Sequence, residues 1–310
     1  MTWILIASGA YFLGAIANIL DKFLLGSKRI SSAVVYAFYV GIFSLAAFMF
    51  APFGLKIPAA DFLLLCLVGG ALFLLGILLL YFAIERAQAS RVVPVIGAVI
   101  PIVTFAIAAA TGMERLPAMG VAGVFLLIIG GLLISFDLPF KIGKKKFFAG
   151  FPFALWAGVF LALSYIVFKY VSAHENFITW YVWTRVGGAL AVGLFFLVPS
   201  WRSSILKSFT HVKAKKNRRK AFSTGSIFVA NKIVGGASTL MLNYAIALGS
   251  VTLLNAMVSL QYVFVFILAV ALSHRNKKIF EENLYFWDWA QKIMAIAIIG
   301  AGVFLISNIQ

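Results

Sequence analysis

Residues 222–248 read FSTGSIFVANKIVGGASTLMLNYAIAL, a largely apolar run with Asn231 and Lys232 near its middle. At about 1.5 Å per residue, a helix of this length crosses the hydrocarbon core of a bilayer. Lys232 then lies roughly 15 Å from either end of the helix. A charge at that depth costs at least about 2.5 kcal/mol and normally faces water or a partner. The run therefore predicts a membrane-spanning helix with a functional position at Lys232.

The composition of the whole chain is that of a membrane protein. Its 310 residues are 63% hydrophobic and 11% charged, with a mean hydropathy of +1.05. A soluble domain carries about 25% charged residues. The single cysteine, Cys66, excludes a disulfide framework and a cysteine-rich metal site. The fold class is therefore predicted to be all-α and integral to the membrane.

Apolar segments of spanning length recur along the chain, separated by turn residues and charges. They predict ten transmembrane helices, at about 3–25, 33–53, 60–84, 91–111, 117–136, 147–171, 177–198, 222–247, 250–273 and 289–308. The weakest break is Gly249-Ser250, where a single bent helix is the alternative.

The two halves of the chain repeat each other weakly but in order. Residues 17–23 resemble 164–170 at an offset of 147, 82–84 resemble 244–246 at 162, and 133–135 resemble 305–307 at 172. The predicted domains are two five-helix repeats, residues 1–140 and residues 141–310, the second with a basic loop at 199–221. Because five is odd, the repeats cross the membrane in opposite senses, an arrangement common in transporters.

The basic residues give a predicted orientation. The odd-numbered loops and their flanks hold 21 of the 26 Lys and Arg residues, and the even-numbered loops hold three. Cytoplasmic loops accumulate Lys and Arg, so the odd loops are predicted to be cytoplasmic and both termini to lie outside. We expect a multi-pass protein of the plasma membrane, in which the net charge of +17 reflects topology rather than nucleic-acid binding.

The stretch 201–220 is the most basic part of the chain. Trp201, Ile205 and Phe209 recur near helical spacing ahead of a cluster of Lys and Arg. One interpretation is an interfacial helix that binds anionic membrane lipid. The other is a solvated anchor that only fixes topology.

The two remaining basic residues, Arg185 and Lys232, lie deep within predicted spans seven and eight. All nine acidic residues fall at span ends or in loops, so no carboxylate is expected beside them. Two such cations suit an anionic ligand, Arg as a planar fork and Lys as a point charge. The alternative is that both side chains snorkel or bond to carbonyl groups and water.

Aromatic and amide side chains on the same spans complete the candidate substrate-binding set. We assign Lys232, Arg185, Asn231, Asn255, Tyr36, Phe38, Tyr165, Tyr244 and Gln261 to it. Buried amides cost energy if unpaired in lipid, so they face protein or a cavity. Hydrogen bonding between helices is the alternative role for the amides.

Signals for catalysis are missing from the sequence. The histidines, His174, His211 and His274, lie in loops without the spacing of metal ligands, and no glycine-rich loop is placed to hold a nucleotide. The chain is therefore predicted not to be an enzyme and to use no cofactor.

One long stretch resembles the EamA-type transporters of the drug/metabolite transporter superfamily. It comprises residues 81–94, then Pro101, the turn at 112–116, and 120–131. Small residues before span four, a proline within it and a short Gly-x-Glu turn after it are similar to the family pattern. The resemblance implies alternating access between two repeats, often with export of amino acids, metabolites or drugs. It also implies cytoplasmic termini, which is the reverse of the charge count.

The expected function is a secondary transporter, in the export direction, of a small anionic or zwitterionic solute such as an amino acid. One five-helix bundle would rock against the other around Arg185 and Lys232. The alternatives are a flippase for lipid-linked sugars or lipids, and a membrane enzyme or scaffold that does not transport.

Overall fold

A computed structural model of the chain describes residues 2–26, 32–86, 89–135, 149–211, 218–273 and 286–308. All regular secondary structure in these ranges is helical. The predicted domain boundary at residue 140 and the basic stretch 212–217 lie outside the described residues.

Twelve helices are described within these ranges. They are α1 (Thr2–Gly26), α2 (Ala33–Ser44), α3 (Ala60–Arg86), α4 (Ala89–Thr111), α5 (Ala118–Ser135), α6 (Phe151–Ser172), α7 (Phe177–Ala191), α8 (Pro199–His211), α9 (Arg218–Leu248), α10 (Val251–Ala256), α11 (Val258–Ser273) and α12 (Phe286–Ser307). Tighter 3-10 turns extend α2 over Leu45–Phe53 and α7 over Val192–Leu197.

Helices occupy all ten predicted apolar segments, and seven of the described helices are long and apolar enough to cross a membrane. These are Thr2–Asp21, Ala33–Phe53, Ala60–Arg86, Phe151–Ser172, Phe177–Leu197, Val251–Leu272 and Trp289–Ser307. Two shorter apolar helices are Val95–Thr111 and Ala118–Ile134. α9 is long enough but is not among the seven, because its polar side chains lower its hydropathy. The chain is a multi-pass membrane protein by these criteria.

Polar side chains at the breaks between segments fix where several helices begin. Ser32, Asn176 and Ser250 each accept a hydrogen bond from the backbone N–H three residues later, at the starts of α2, α7 and α10. Such caps satisfy donors that the first turn leaves free. The predicted break at Gly249-Ser250 is confirmed, since α9 ends at Leu248 and α10 begins at Val251.

The third helix packs against helices from the other half of the sequence. α3 makes its most extensive contacts with α6 and α7. A Cβ added to Gly70 would lie 1.8 Å from the carbonyl oxygen of Thr184, and one added to Gly187 would lie 2.2 Å from that of Leu67. The backbones of α3 and α7 therefore touch at small residues, as in other membrane-helix pairs.

Two further pairs of helices also join the two halves of the sequence. α9 packs mainly against α1, and α5 packs against α12. At the second contact, a Cβ on Gly302 would lie 2.8 Å from the Leu127 side chain. These pairings bury a core around Ile246, Leu254 and Met257 that draws on both halves of the chain.

The amphipathic stretch after span seven forms helix α8, as its spacing predicts. Ile205 is fully buried, and Trp201 packs on Phe82 and Phe195 with ring centroids 5.8 and 5.7 Å apart. α8 therefore lies against the bundle on one face. Its basic continuation beyond His211 lies outside the described residues.

The close contact between α3 and α7 predicts that one methyl group added at Gly70 lowers the stability of the protein. Gly70→Ala should lower thermal stability in detergent by several degrees, since overpacking against a fixed backbone costs about 1–3 kcal/mol. Gly236→Ala is the matched control, because a Cβ there meets nothing within 4 Å. Equal melting temperatures for the two variants would contradict the packing of α3 on α7.

Candidate functional site

Lys232 belongs to a polar network that ties α9 to α1 and α2. Its Nζ donates a hydrogen bond to the Tyr36 hydroxyl at 3.0 Å and lies 4.2 Å from the centroid of that ring. The Tyr36 hydroxyl in turn donates to the Asp21 carboxylate. Asn231 Nδ2 donates to the same Asp21 oxygen at 2.5 Å. One fully buried tyrosine therefore stands between the ammonium and a carboxylate.

This network corrects two expectations for Lys232. Tyr36 lies in the first turn of α2, and Asp21 lies close to the end of α1. Lysine side chains extend toward the N-terminus of their own helix and snorkel toward the membrane surface. The ammonium is therefore displaced from the midplane toward one end of the bundle. The expectation that no carboxylate stands near it was wrong, because Asp21 is one shared hydroxyl away.

Arg185 lies in different surroundings, within a box of aromatic rings near the middle of α7. Its Cζ is 4.8 Å from the centroid of Tyr181, 5.1 Å from that of Phe73 and 5.9 Å from that of Phe168. Tyr165 packs against Phe73 and Phe168 and completes the group. Such faces attract a cation. No contact among the described side chains links Arg185 to Lys232, so the structure does not bring the two candidate cations together.

The guanidinium of Arg185 has donors without acceptors. The residue is 6% exposed, and its buried Nε and Nη2 have no hydrogen-bond partner among the residues that the structure describes. These two nitrogens share one edge of the guanidinium plane, the edge that binds a carboxylate through two parallel hydrogen bonds. Leaving a buried donor unsatisfied costs about 1–3 kcal/mol, and more for a charged group. The edge is therefore suited to an anionic ligand that supplies two oxygens.

The other predicted site residues are divided between these two places and other parts of the bundle. Asn231 and Tyr36 join Lys232, and Tyr165 joins Arg185. Phe38 packs on Tyr39, Phe196 and Phe209, and Gln261 packs beside Gly14 and Ser238. Tyr244 is 43% exposed and meets Phe177, while Asn255 is buried in α10 with its Nδ2 unpaired. The nine residues therefore do not form one pocket.

Sequence reasoning missed a charged clamp at the turn between α9 and α10. Lys169 Nζ donates to the carbonyl oxygens of Ile246 at 3.1 Å and Gly249 at 2.7 Å. Glu114 accepts from the Ser250 hydroxyl at 2.8 Å and from the N–H of Val251 at 2.6 Å. A cation at a helix C-terminus and an anion at a helix N-terminus are both favourable. The Gly-x-Glu turn of the sequence was the signal for this role of Glu114.

The packing between α4 and the α10–α11 pair is closed. Tyr262 donates a hydrogen bond to the carbonyl oxygen of Val93 at 3.2 Å. A Cβ at Gly97 would lie 1.8 Å from the Tyr262 hydroxyl, so the glycine admits the ring. The gap lined by Gly97, Gly131, Ser259 and Tyr262 has no room for a water molecule.

No metal site accompanies these groups. Within the described ranges, no three His, Cys, Asp or Glu side chains lie together in a way that could hold a metal ion.

Comparison with known proteins supports the fold and gives no name for the activity. No protein-family model matches the chain, and no curated protein matches it. One solved structure, described only as "Crystal structure of protein", is similar to it with a TM-score of 0.64 at 15% identity. The similarity covers 98% of this chain and 95% of the other. At this identity the likeness concerns the overall fold alone.

The shared hydroxyl of Tyr36 makes a direct prediction for stability. Tyr36→Phe should lower the melting temperature in detergent, because it leaves the Lys232 ammonium without that acceptor. The expected loss is about 1–3 kcal/mol. Tyr170→Phe is the control, since that ring is 44% exposed and no described residue forms a hydrogen bond with its hydroxyl. An equal, small effect in both variants would refute the network.

Proposed function

We propose that the protein is a secondary transporter that exports a small carboxylate-bearing metabolite, such as an amino acid or another anionic or zwitterionic solute. The observation that carries this proposal is the buried, unpaired edge of Arg185 within its aromatic box. A bound carboxylate would supply the two missing acceptors, and the rings would contact the rest of the solute. The resemblance to EamA-type transporters agrees with this function.

The proposed architecture has ten membrane-spanning helices in two inverted five-helix repeats, residues 1–140 and 141–310. The pairing of helices supports it: α3 on α6 in one direction matches α9 on α1 in the other. The 3-10 turns begin at Leu45 and Val192, which are related by the sequence offset of 147. α4 and α10 begin at Ala89 and Val251, which are related by the offset of 162.

In the proposed cycle, polar contacts close alternate sides of the site. The Asp21–Tyr36–Asn231–Lys232 network would hold α9 against α1 and α2 at one end. The clamp of Lys169 and Glu114 would hold the turn between α9 and α10 at the other. A solute shifts such an equilibrium only by binding one state better than another. Arg185 would provide that difference, because a carboxylate would accept hydrogen bonds from donors that have no partner among the described residues.

This proposal gives Lys232 a different role from Arg185. Lys232 closes one end of the bundle, and Arg185 holds the solute. We place the protein in the plasma membrane with its odd-numbered loops in the cytoplasm, as the distribution of Lys and Arg indicates.

The binding role of Arg185 can be tested by ligand-induced thermal stabilisation. Purified protein is screened against amino acids, nucleotides, sugar phosphates and organic cations, and carboxylate-bearing solutes should stabilise it. Arg185→Lys and Arg185→Met should weaken binding of the best solute about tenfold or more, because the paired hydrogen bonds to the charged group are lost. Arg115→Lys, at an exposed position, should leave the affinity unchanged. Undiminished binding by Arg185→Met would overturn the site.

The proposed closing role of Lys232 predicts that its substitution affects the transport rate and the affinity for the solute differently. Lys232→Met should change the rate of uptake or export in proteoliposomes by a larger factor than the apparent affinity for the solute. Lys232 makes no contact with the solute in the proposed site, so it alters that affinity only through the population of the binding-competent state. A loss of affinity as large as that of Arg185→Met would instead return Lys232 to the binding site.

A further inference from the structure

Helix α8 presents an open groove on the face that points away from the bundle. The groove holds about 410 Å³ and lies where the 3-10 turns after α7 meet α8. Three of its lining residues are polar, Arg202, Ser203 and Lys207, and four are apolar, Phe196, Leu197, Pro199 and Leu206. Leu197 is 76% exposed, so the apolar wall of the groove is uncovered.

The groove is a fixed feature, because the opposite face of α8 is packed. Ile205 is fully buried, and Trp201 lies between Phe82 and Phe195. Ser208 shares a hydrogen bond of 3.3 Å with Tyr39 of α2. These contacts hold α8 in one orientation and direct Arg202 and Lys207 outward.

The position of the groove matches the surface of a bilayer. α7 and its 3-10 extension, Phe177–Leu197, form one of the seven candidate spans. Their combined rise is roughly 35 Å, about the thickness of the hydrocarbon core. Leu197 therefore lies near the end of the hydrocarbon, and Arg202 and Lys207 lie at the level of the lipid headgroups.

The local charge of the chain is entirely positive. No Asp or Glu occurs between Glu175 and Glu281, while Arg202 and Lys207 are followed by the basic cluster at 213–220. A ligand that complements this face carries negative charge on a headgroup and an apolar chain beside it. An anionic phospholipid has both parts.

We propose that the α8 groove is a binding site for an anionic phospholipid. Arg202 offers a planar fork to the phosphate, and Lys207 and Ser203 offer a point charge and a hydroxyl. Leu197, Leu206 and Phe196 contact the acyl chain. The site is independent of the solute site at Arg185.

The test is lipid-dependent stabilisation of the full chain in a neutral detergent. The thermal unfolding midpoint is followed while phosphatidylglycerol or phosphatidylcholine is added, and phosphatidylglycerol should raise it more. The double variant Arg202→Gln/Lys207→Gln should bind phosphatidylglycerol about 30-fold more weakly, since each basic residue at a membrane surface contributes about fivefold. Ser203→Glu, which places a negative charge in the groove, should also abolish the preference.

The controls separate this site from general attraction. Lys56→Gln/Arg115→Gln removes the same charge from two exposed residues elsewhere and should retain the preference for phosphatidylglycerol. Equal losses in the two double variants would overturn the proposal, as would an unchanged preference in Arg202→Gln/Lys207→Gln. Stabilisation of the same size by glycerol phosphate alone would also overturn it, because the acyl chain would then have no role.

Discussion

A polar group inside this bundle must find its partner within the protein, because hydrocarbon offers none. Helix α9 carries several polar side chains that need such partners. Ser238 donates to the carbonyl oxygen of Ala10 at 2.7 Å, and Thr239 and Asn243 donate to carbonyl oxygens of α9 itself. Asn231 and Lys232 reach Asp21 and Tyr36. The close packing of α9 on α1 thus supplies acceptors for Ser238 and Asn231, while α2 and α9 itself supply those for Lys232, Thr239 and Asn243.

Arg185 has a different environment from the polar side chains of α9. Its box supplies ring faces, which attract the charge, but it supplies no acceptor for Nε and Nη2. Lys232 has the opposite environment, with an acceptor and a nearby carboxylate. Two cations that look alike in the sequence are therefore suited to different tasks, one to hold a ligand and one to hold helices together.

The sequence predicted those features that depend on residues close together in the chain. Apolar runs located the helical segments, and the Gly249-Ser250 break was found because a small residue and a capping serine mark a turn. The ten crossings and the inverted repeat stay predictions, with seven helices meeting the length and hydropathy for a span.

Which residues make up the site depends on which helices pack together. The depth of a residue along its own helix does not reveal that packing. Counting residues showed that Lys232 and Arg185 both lie deep in their helices, but not that they have different neighbours, Tyr36 for Lys232 and a group of aromatic rings for Arg185. Phe73 and Phe168 come from α3 and α6 and enter the Arg185 box only because α3 packs on α6 and α7. Asp21 could have been linked to Tyr36, since the two residues are 15 apart in the sequence and lie on consecutive predicted spans.

The packing of α3 on α6 and α7, and of α9 on α1, bears on how the molecule is assembled during synthesis. α3 emerges long before α6 and α7, yet these are the helices that its glycines fit. α1 likewise finds its main neighbour only when α9, much later in the chain, has been made. Helices of each half thus bury one face against helices of the other half, and those made early keep that face uncovered until their later neighbours have been made.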